Sequence, residues 1–168
     1  MGHLVTSSVR MNVSVEKVWA VLDDYVGLAK YSNGVETATL IGDKTTGLGA
    51  KRHCVFYNKD SVVEEITQYE ENKLFTVELT ELSAPLKSMI ASFRIEKRSD
   101  TSCEVFMTMD FGVRFGVLGI VLGILMMRPV LKGVQKKLLT GIAYHAFTGK
   151  AVGSELPSDD ELAPALTA

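Results

Sequence analysis

The chain has 168 residues, 46% of them apolar, which suits one domain built around one core. Eighteen basic and twenty acidic residues give a net charge of −2, and no Lys/Arg cluster is dense enough to grip a phosphate backbone, which argues against nucleic acid as a partner. Cys54 and Cys103 lie far apart without the neighbours of a zinc knuckle or a redox pair, so they read as buried free thiols of a reducing cytoplasm.

The first predicted element is a strand in "LVTSSVRMNV", where Val5, Ser7, Val9 and Met11 face one way and Leu4, Thr6, Ser8 and Arg10 the other. No basic region followed by an apolar run stands ahead of it, so a signal peptide is not expected and the localisation expected is cytoplasmic. Ser14 is placed to cap a helix on which Val15, Val18, Trp19 and Leu22 recur at helical spacing. Asp23 or Asp24 is expected to cap a second short helix that runs to about Tyr31 and ends at Asn33-Gly34. Six strands follow, over residues 35–41, 49–57, 61–69, 73–80, 87–97 and 103–114, joined by short turn-rich connections that favour antiparallel hairpins.

After Phe115 the pattern turns helical as far as about Phe147. The last twenty residues hold two prolines and four acids without a period. Residues 1–148 are therefore expected to form a single domain and 149–168 a flexible acidic tail. This order predicts an α+β fold: a seven-stranded curved antiparallel sheet wrapped round a long C-terminal helix, with two short helices after strand 1.

The stretch "FGVLGIVLGILMMRPVLKGVQKKLL" is the most apolar of the chain. Arg114 and Arg128 bracket thirteen uncharged residues, about 20 Å of helix against a hydrocarbon thickness of roughly 30 Å, so the run is too short to span a bilayer. Pro129 suits a first helical turn, which divides the stretch into a short apolar helix from about Val117 to Met127 and a longer one beginning near Pro129. On the longer helix Leu131, Val134, Leu138, Ile142 and His145 form one stripe, with Lys132, Lys136 and Thr140 opposite. The shorter piece is apolar all round, so a ligand, a second subunit or a membrane surface must cover part of it. Transient membrane contact through residues 115–127 and a homodimer are both open, and Gly119 with Gly123 forms a GxxxG pair there.

"MNVSVEKVWAVLDDYVGLAKYSNGVETATLIG", "GLGAKRHCVFY" and "FGVLGIVLGILMMRPVLKGVQKKLLTGI" resemble the opening strand and helix pair, the glycine-led third strand and the closing helix of the START/Bet v 1-like (SRPBCC) superfamily. Within it they are similar to the polyketide cyclase/dehydrase and lipid-transport group, over residues 4 to 148. The resemblance implies a helix-grip fold with an internal cavity for hydrophobic molecules. It says little about activity, because members include carriers, ubiquinone-binding proteins and cyclases.

Strand alternation suggests the lining of such a cavity. The expected ligand-binding residues are Arg52, Cys54 and Phe56 on one strand, Glu64 and Ile66 on the next, then Phe75 and Val77. Met89, Phe93, Met107 and Met109 follow from the last two strands, and Leu138 and Ile142 from the closing helix. Arg52 and Glu64 are the polar exceptions; a tight turn at 58–60 places them diagonally across neighbouring strands, either as a buried pair or as a rim salt bridge. No HxH, HExxH, GxSxG or glycine-rich phosphate loop is present, so no catalytic residue, metal or cofactor is assigned.

The expected function is non-covalent binding or transport of a small hydrophobic molecule, a lipid, isoprenoid or polyketide-like compound. The alternatives are a polyketide cyclase/dehydrase-type enzyme and a quinone- or membrane-associated accessory protein.

Overall fold

The computed structural model describes residues 3–83, 85–114, 121 and 123–167. Strand β1 (His3–Met11) leads into helix α1 (Val15–Asp23), a 3-10 turn (Tyr25–Gly27) and helix α2 (Leu28–Tyr31). Six strands follow: β2 (Val35–Ile41), β3 (Lys51–Phe56), β4 (Ser61–Glu70), β5 (Leu74–Thr80), β6 (Leu86–Lys97) and β7 (Cys103–Val113). They pair antiparallel in the order β1-β7-β6-β5-β4-β3-β2. Sequence-adjacent strands β2 to β7 are neighbours throughout, and β1 closes the far edge against β7.

Register breaks at Val35/Thr37 in β2, Ile66/Gln68 in β4 and Leu86/Ser88 in β6 bend the strands locally, so the sheet curls instead of lying flat. Into the hollow goes helix α3 (Arg128–Thr148), whose start places Pro129 in the first turn as expected, and whose end is capped by Gly149 in the left-handed conformation at φ 72°. The carbonyl of His145 accepts from the Gly149 N–H.

Three expectations are corrected. A π-helical turn over Gly123–Met127 runs straight into α3, so Pro129 does not separate two helices. The proline gives the turn before it no N–H donor, yet the helical path continues through it. The rest of the expected short helix, with Gly119, lies outside the described residues. The second correction concerns α3, whose buried stripe is Leu131, Gln135, Leu139 and Ile142; Val134 is exposed and Leu138 half-buried. Gln135 is fully buried because its amide donates to the backbone carbonyls of Val5 (2.9 Å) and Met107 (3.2 Å), while its carbonyl accepts from the Ser7 hydroxyl at 2.8 Å. A satisfied polar side chain can occupy a core position that hydropathy assigns to leucine.

The third correction is the C-terminal stretch. Ser158 and Glu161 form a reciprocal capping box that starts a short helix α4 (Asp159–Leu162), followed by a 3-10 turn over Ala163–Ala165. Asn12 N–H donates to the Ala165 carbonyl at 2.9 Å and Thr167 N–H to that of Arg10 at 3.1 Å, so the chain end pairs with the end of β1. Tyr144, Val152 and Leu162 bury each other in a small satellite cluster. Composition suggested a patternless tail, yet the Ser-x-x-Glu signature was there to be read.

Candidate functional site

Between the concave face of the sheet and α3 lies a cavity of about 510 Å³. Its walls come from alternate positions on successive strands: Phe56 on β3, Phe75 and Val77 on β5, Met89, Ala91 and Phe93 on β6, Met107 and Met109 on β7. Helix α3 contributes Leu131, Val134 and Leu138. Exposed polar residues, among them Asn58, Asp60, Ser83 and Lys137, rim the opening. The volume falls within the range of cavities that hold a drug-sized molecule, and the wall is mostly apolar.

Of the expected ligand-binding residues, Arg52, Phe56, Glu64, Phe75, Val77, Met89, Phe93, Met107, Met109 and Leu138 surround this space. Cys54, Ile66 and Ile142 do not. They are buried in the core away from it, where Trp19 and Tyr25 also pack edge-on against Phe75, at 6.5 and 5.9 Å between centroids. Alternation reports the face of a strand but not how much side-chain volume lies over it. It also missed Leu22, Leu28 and Tyr31 from α1 and α2, Leu82 and Pro85 from the connection before β6, and Leu86 at the start of β6, since strand alternation does not reach helices, loops and strand ends.

Arg52 and Glu64 are directly opposite each other in the β3–β4 ladder, where the sequence suggested a diagonal pair. They are 4% and 8% exposed, which rules out the rim salt bridge. Arg52 Nε donates to Glu64 Oε2 at 2.7 Å, Nη2 contacts the same oxygen, and Nη1 donates to the Tyr25 carbonyl. The guanidinium carbon stands 4.1 Å from the centroid of the Tyr25 ring, and the Tyr25 hydroxyl donates to the backbone carbonyl of Glu64 at 3.0 Å. The result is a closed knot of α1–α2 linker and sheet, with charge, stacking and hydrogen bonds all satisfied locally.

Burial works to lower the Arg52 pKa, but the Glu64 carboxylate and the Tyr31 and Tyr25 phenols outweigh it and hold the guanidinium above its ordinary value. Burial pushes both phenols up, with Arg52 pulling part of the way back. The Cys54 thiol is pushed up to about 12 by burial and then by Glu64, and Cys103 to about 11 by burial. Thiolates are the nucleophiles, so the native protein is expected to resist a disulfide reagent at pH 8 until it unfolds. Both folded pKa values lie above the ordinary 9.0. The stability these thiols contribute is therefore complete below pH 9 and lost as pH rises through about 11 to about 12. Denaturant midpoints measured across that window should fall; a flat profile in a Cys54→Ala/Cys103→Ala variant would assign the fall to the thiols.

Asp23 and Asp24 do not cap by side chain. Asp23 accepts from Thr46 Oγ1 and from the Tyr69 hydroxyl, both at 2.6 Å, tying the end of α1 to β4 and to the loop before β3, and Asp24 pairs with Lys30. His145 Nδ1 is 2.8 Å from the Lys150 carbonyl at the end of α3, and His53 on β3 points away from Arg52. Among the described residues no group of three His, Cys, Asp or Glu could hold a metal ion, and no described helix is long and apolar enough to cross a membrane.

Residues 2–146 match the family described as polyketide cyclase / dehydrase and lipid transport. No curated protein matches the sequence. Among solved structures, the Zhui aromatase/cyclase from Streptomyces sp. R1128 superimposes with a TM-score of 0.72 at 15% identity, over 90% of this chain and 100% of that one. A norcoclaurine synthase point mutant from Thalictrum flavum gives 0.63 at 15%, covering 86% and 96%. A solution structure from Thermobifida fusca gives 0.68 at 20%, covering 85% and 92%. At these identities the likeness is one of fold, the curved sheet gripping a C-terminal helix. The match across most of its length makes this chain a member of the polyketide cyclase/dehydrase and lipid transport family.

Proposed function

We propose that the protein binds one small hydrophobic molecule non-covalently in the cavity between sheet and α3. The observation that carries this reading is a mostly apolar space of about 510 Å³ left open between the sheet and α3. Burial of a ligand against Phe75, Phe93, Met107 and Met109 supplies affinity, and the flexible thioethers let the wall adjust to its shape.

Arg52 gives orientation. A guanidinium has five N–H donors, and three of the Arg52 bonds go to Glu64 and Tyr25. The remaining N–H groups lie within reach of the Tyr31 hydroxyl and the Cys54 thiol, which an acceptor on the ligand would join or displace. Because Glu64 already balances the charge, a carbonyl or hydroxyl suits this end of the cavity better than a carboxylate, which would add an unbalanced negative charge to a buried site. Catalysis is the weaker reading for the same reason. Among the described residues Glu64 is the only buried carboxylate in the wall, and Arg52 holds it in two contacts where a general base must be free to take a proton.

Titration with the neutral fluorophore N-phenyl-1-naphthylamine tests the reading. One saturable site is expected, and Ala91→Phe, which projects a ring into the cavity from between Val77 and Met109, should weaken binding about tenfold or more with the fold retained. Absence of saturable binding, or binding indifferent to Ala91→Phe, would refute it.

A further inference from the structure

Residues 111–154 contain no aspartate or glutamate, yet they carry Arg114, Arg128, Lys132, Lys136, Lys137 and Lys150 in a chain whose net charge is −2. The same stretch holds the two most exposed large apolar side chains among the described residues, Leu125 at 70% and Met126 at 64%. Val121, Val130 and Val134 are exposed beside them in sequence, whereas the other exposed apolar residues are scattered along the chain. Scattered exposure is ordinary; five such residues in one segment mark a surface that something covers.

That surface is continuous with the cavity. Val130, Val134 and Lys137 recur on one face of α3 at helical spacing, and Val134 and Lys137 line the opening, as does Met127 next to Met126. Charge decides what seats there. A second copy related by a two-fold axis would bring the same arginines and lysines together, and like charges in close contact are repulsive. An anionic lipid surface instead attracts those that border the patch, Lys137 among them, and exposed aliphatic side chains sink into the boundary between headgroups and acyl chains.

We propose that this patch, centred on Leu125, Met126 and Val130, docks the protein on an anionic bilayer with the cavity opening turned toward the lipid. In that pose a hydrophobic molecule passes between membrane and cavity without crossing water. The patch residues Leu125, Met126 and Val130 lie outside the cavity wall.

Flotation of the full chain with phosphatidylcholine vesicles, with and without roughly 30% phosphatidylglycerol, tests the proposal. Partition into the anionic vesicles is expected, and it should weaken at high salt. Leu125→Asp/Met126→Asp should reduce it by about tenfold or more through lost apolar insertion, and Lys137→Glu, on the same face of α3 as Val130 and Val134, by several-fold through charge. Both variants should keep the thermal midpoint of the wild type, because the substituted side chains already face solvent. No partition, equal partition into both lipids, or variants that bind like wild type would overturn the proposal. So would sedimentation showing a dimer that the same substitutions dissociate. None of these readouts needs a cavity ligand, so they stand apart from the binding titration above.

Discussion

Replacing Arg52 by leucine should destabilise the protein by about 3–5 kcal/mol, the largest effect expected of any single substitution in the cavity wall. The change leaves the Glu64 carboxylate 8% exposed with no cation against it, and the Tyr25 carbonyl without its donor. It also removes the cation stacked on the Tyr25 ring. The cost is that of an uncompensated buried charge rather than the net worth of the pair. Arg52→Leu/Glu64→Leu should accordingly recover most of the loss, to within about 1–2 kcal/mol of wild type, since apolar replacement of a whole buried pair is often close to neutral. Urea unfolding followed by the fluorescence of Trp19, the single tryptophan and a buried one, reads both. A loss under about 1 kcal/mol in the single variant would mean that water reaches the pair in solution.

Gly141→Ala is expected to be the second most damaging change, against the direction of helix propensity. On an exposed helical site alanine is preferred over glycine by about 1 kcal/mol. At position 141 the added Cβ would fall inside the van der Waals contact of the Tyr31 carbonyl oxygen and 3.1 Å from its carbonyl carbon, where α2 crosses α3. Backbone cannot swing aside as a side chain can, so the helices must separate, at a net cost of about 1–3 kcal/mol. Separation also moves Tyr31, which lines the cavity, so probe affinity should fall with stability. Gly133→Ala on the same helix is the control: it is exposed with nothing within 4 Å of the new Cβ, and should raise stability by up to about 1 kcal/mol. Equal gains at both positions would refute the close crossing.

Much of this architecture could be read from residue order alone. The strand boundaries from Val35 to Val113 are set by period-2 alternation and turn residues, both local properties, and the observed strands differ from the expected ones by at most two residues at any end. Alternation likewise put Arg52 and Glu64 on the same face before their neighbours were known, because successive side chains of a strand point to opposite sides. Pro129 marked the start of α3 through a fixed φ and a missing donor. The family resemblance rested on the same segments, and it extends over the domain they build.

Burial depth was decided elsewhere. Gln135 lies in the core only because the carbonyls of Val5 and Met107, on the first and last strands, converge on its amide. Whether Arg52 and Glu64 form a buried pair or a surface one depends on Tyr25 closing over them from the helical side, a contact 27 residues away in sequence. The cavity itself is a difference between two large volumes: the hollow that three register breaks bend into the sheet, and the side chains that α1, α2 and α3 put into it. Side-chain period along a chain measures direction, not distance to the facing layer. Composition and pattern thus determined which elements form and which faces turn inward, while the space remaining between them, and so the room for a ligand, came only from how the curved sheet and the helix meet.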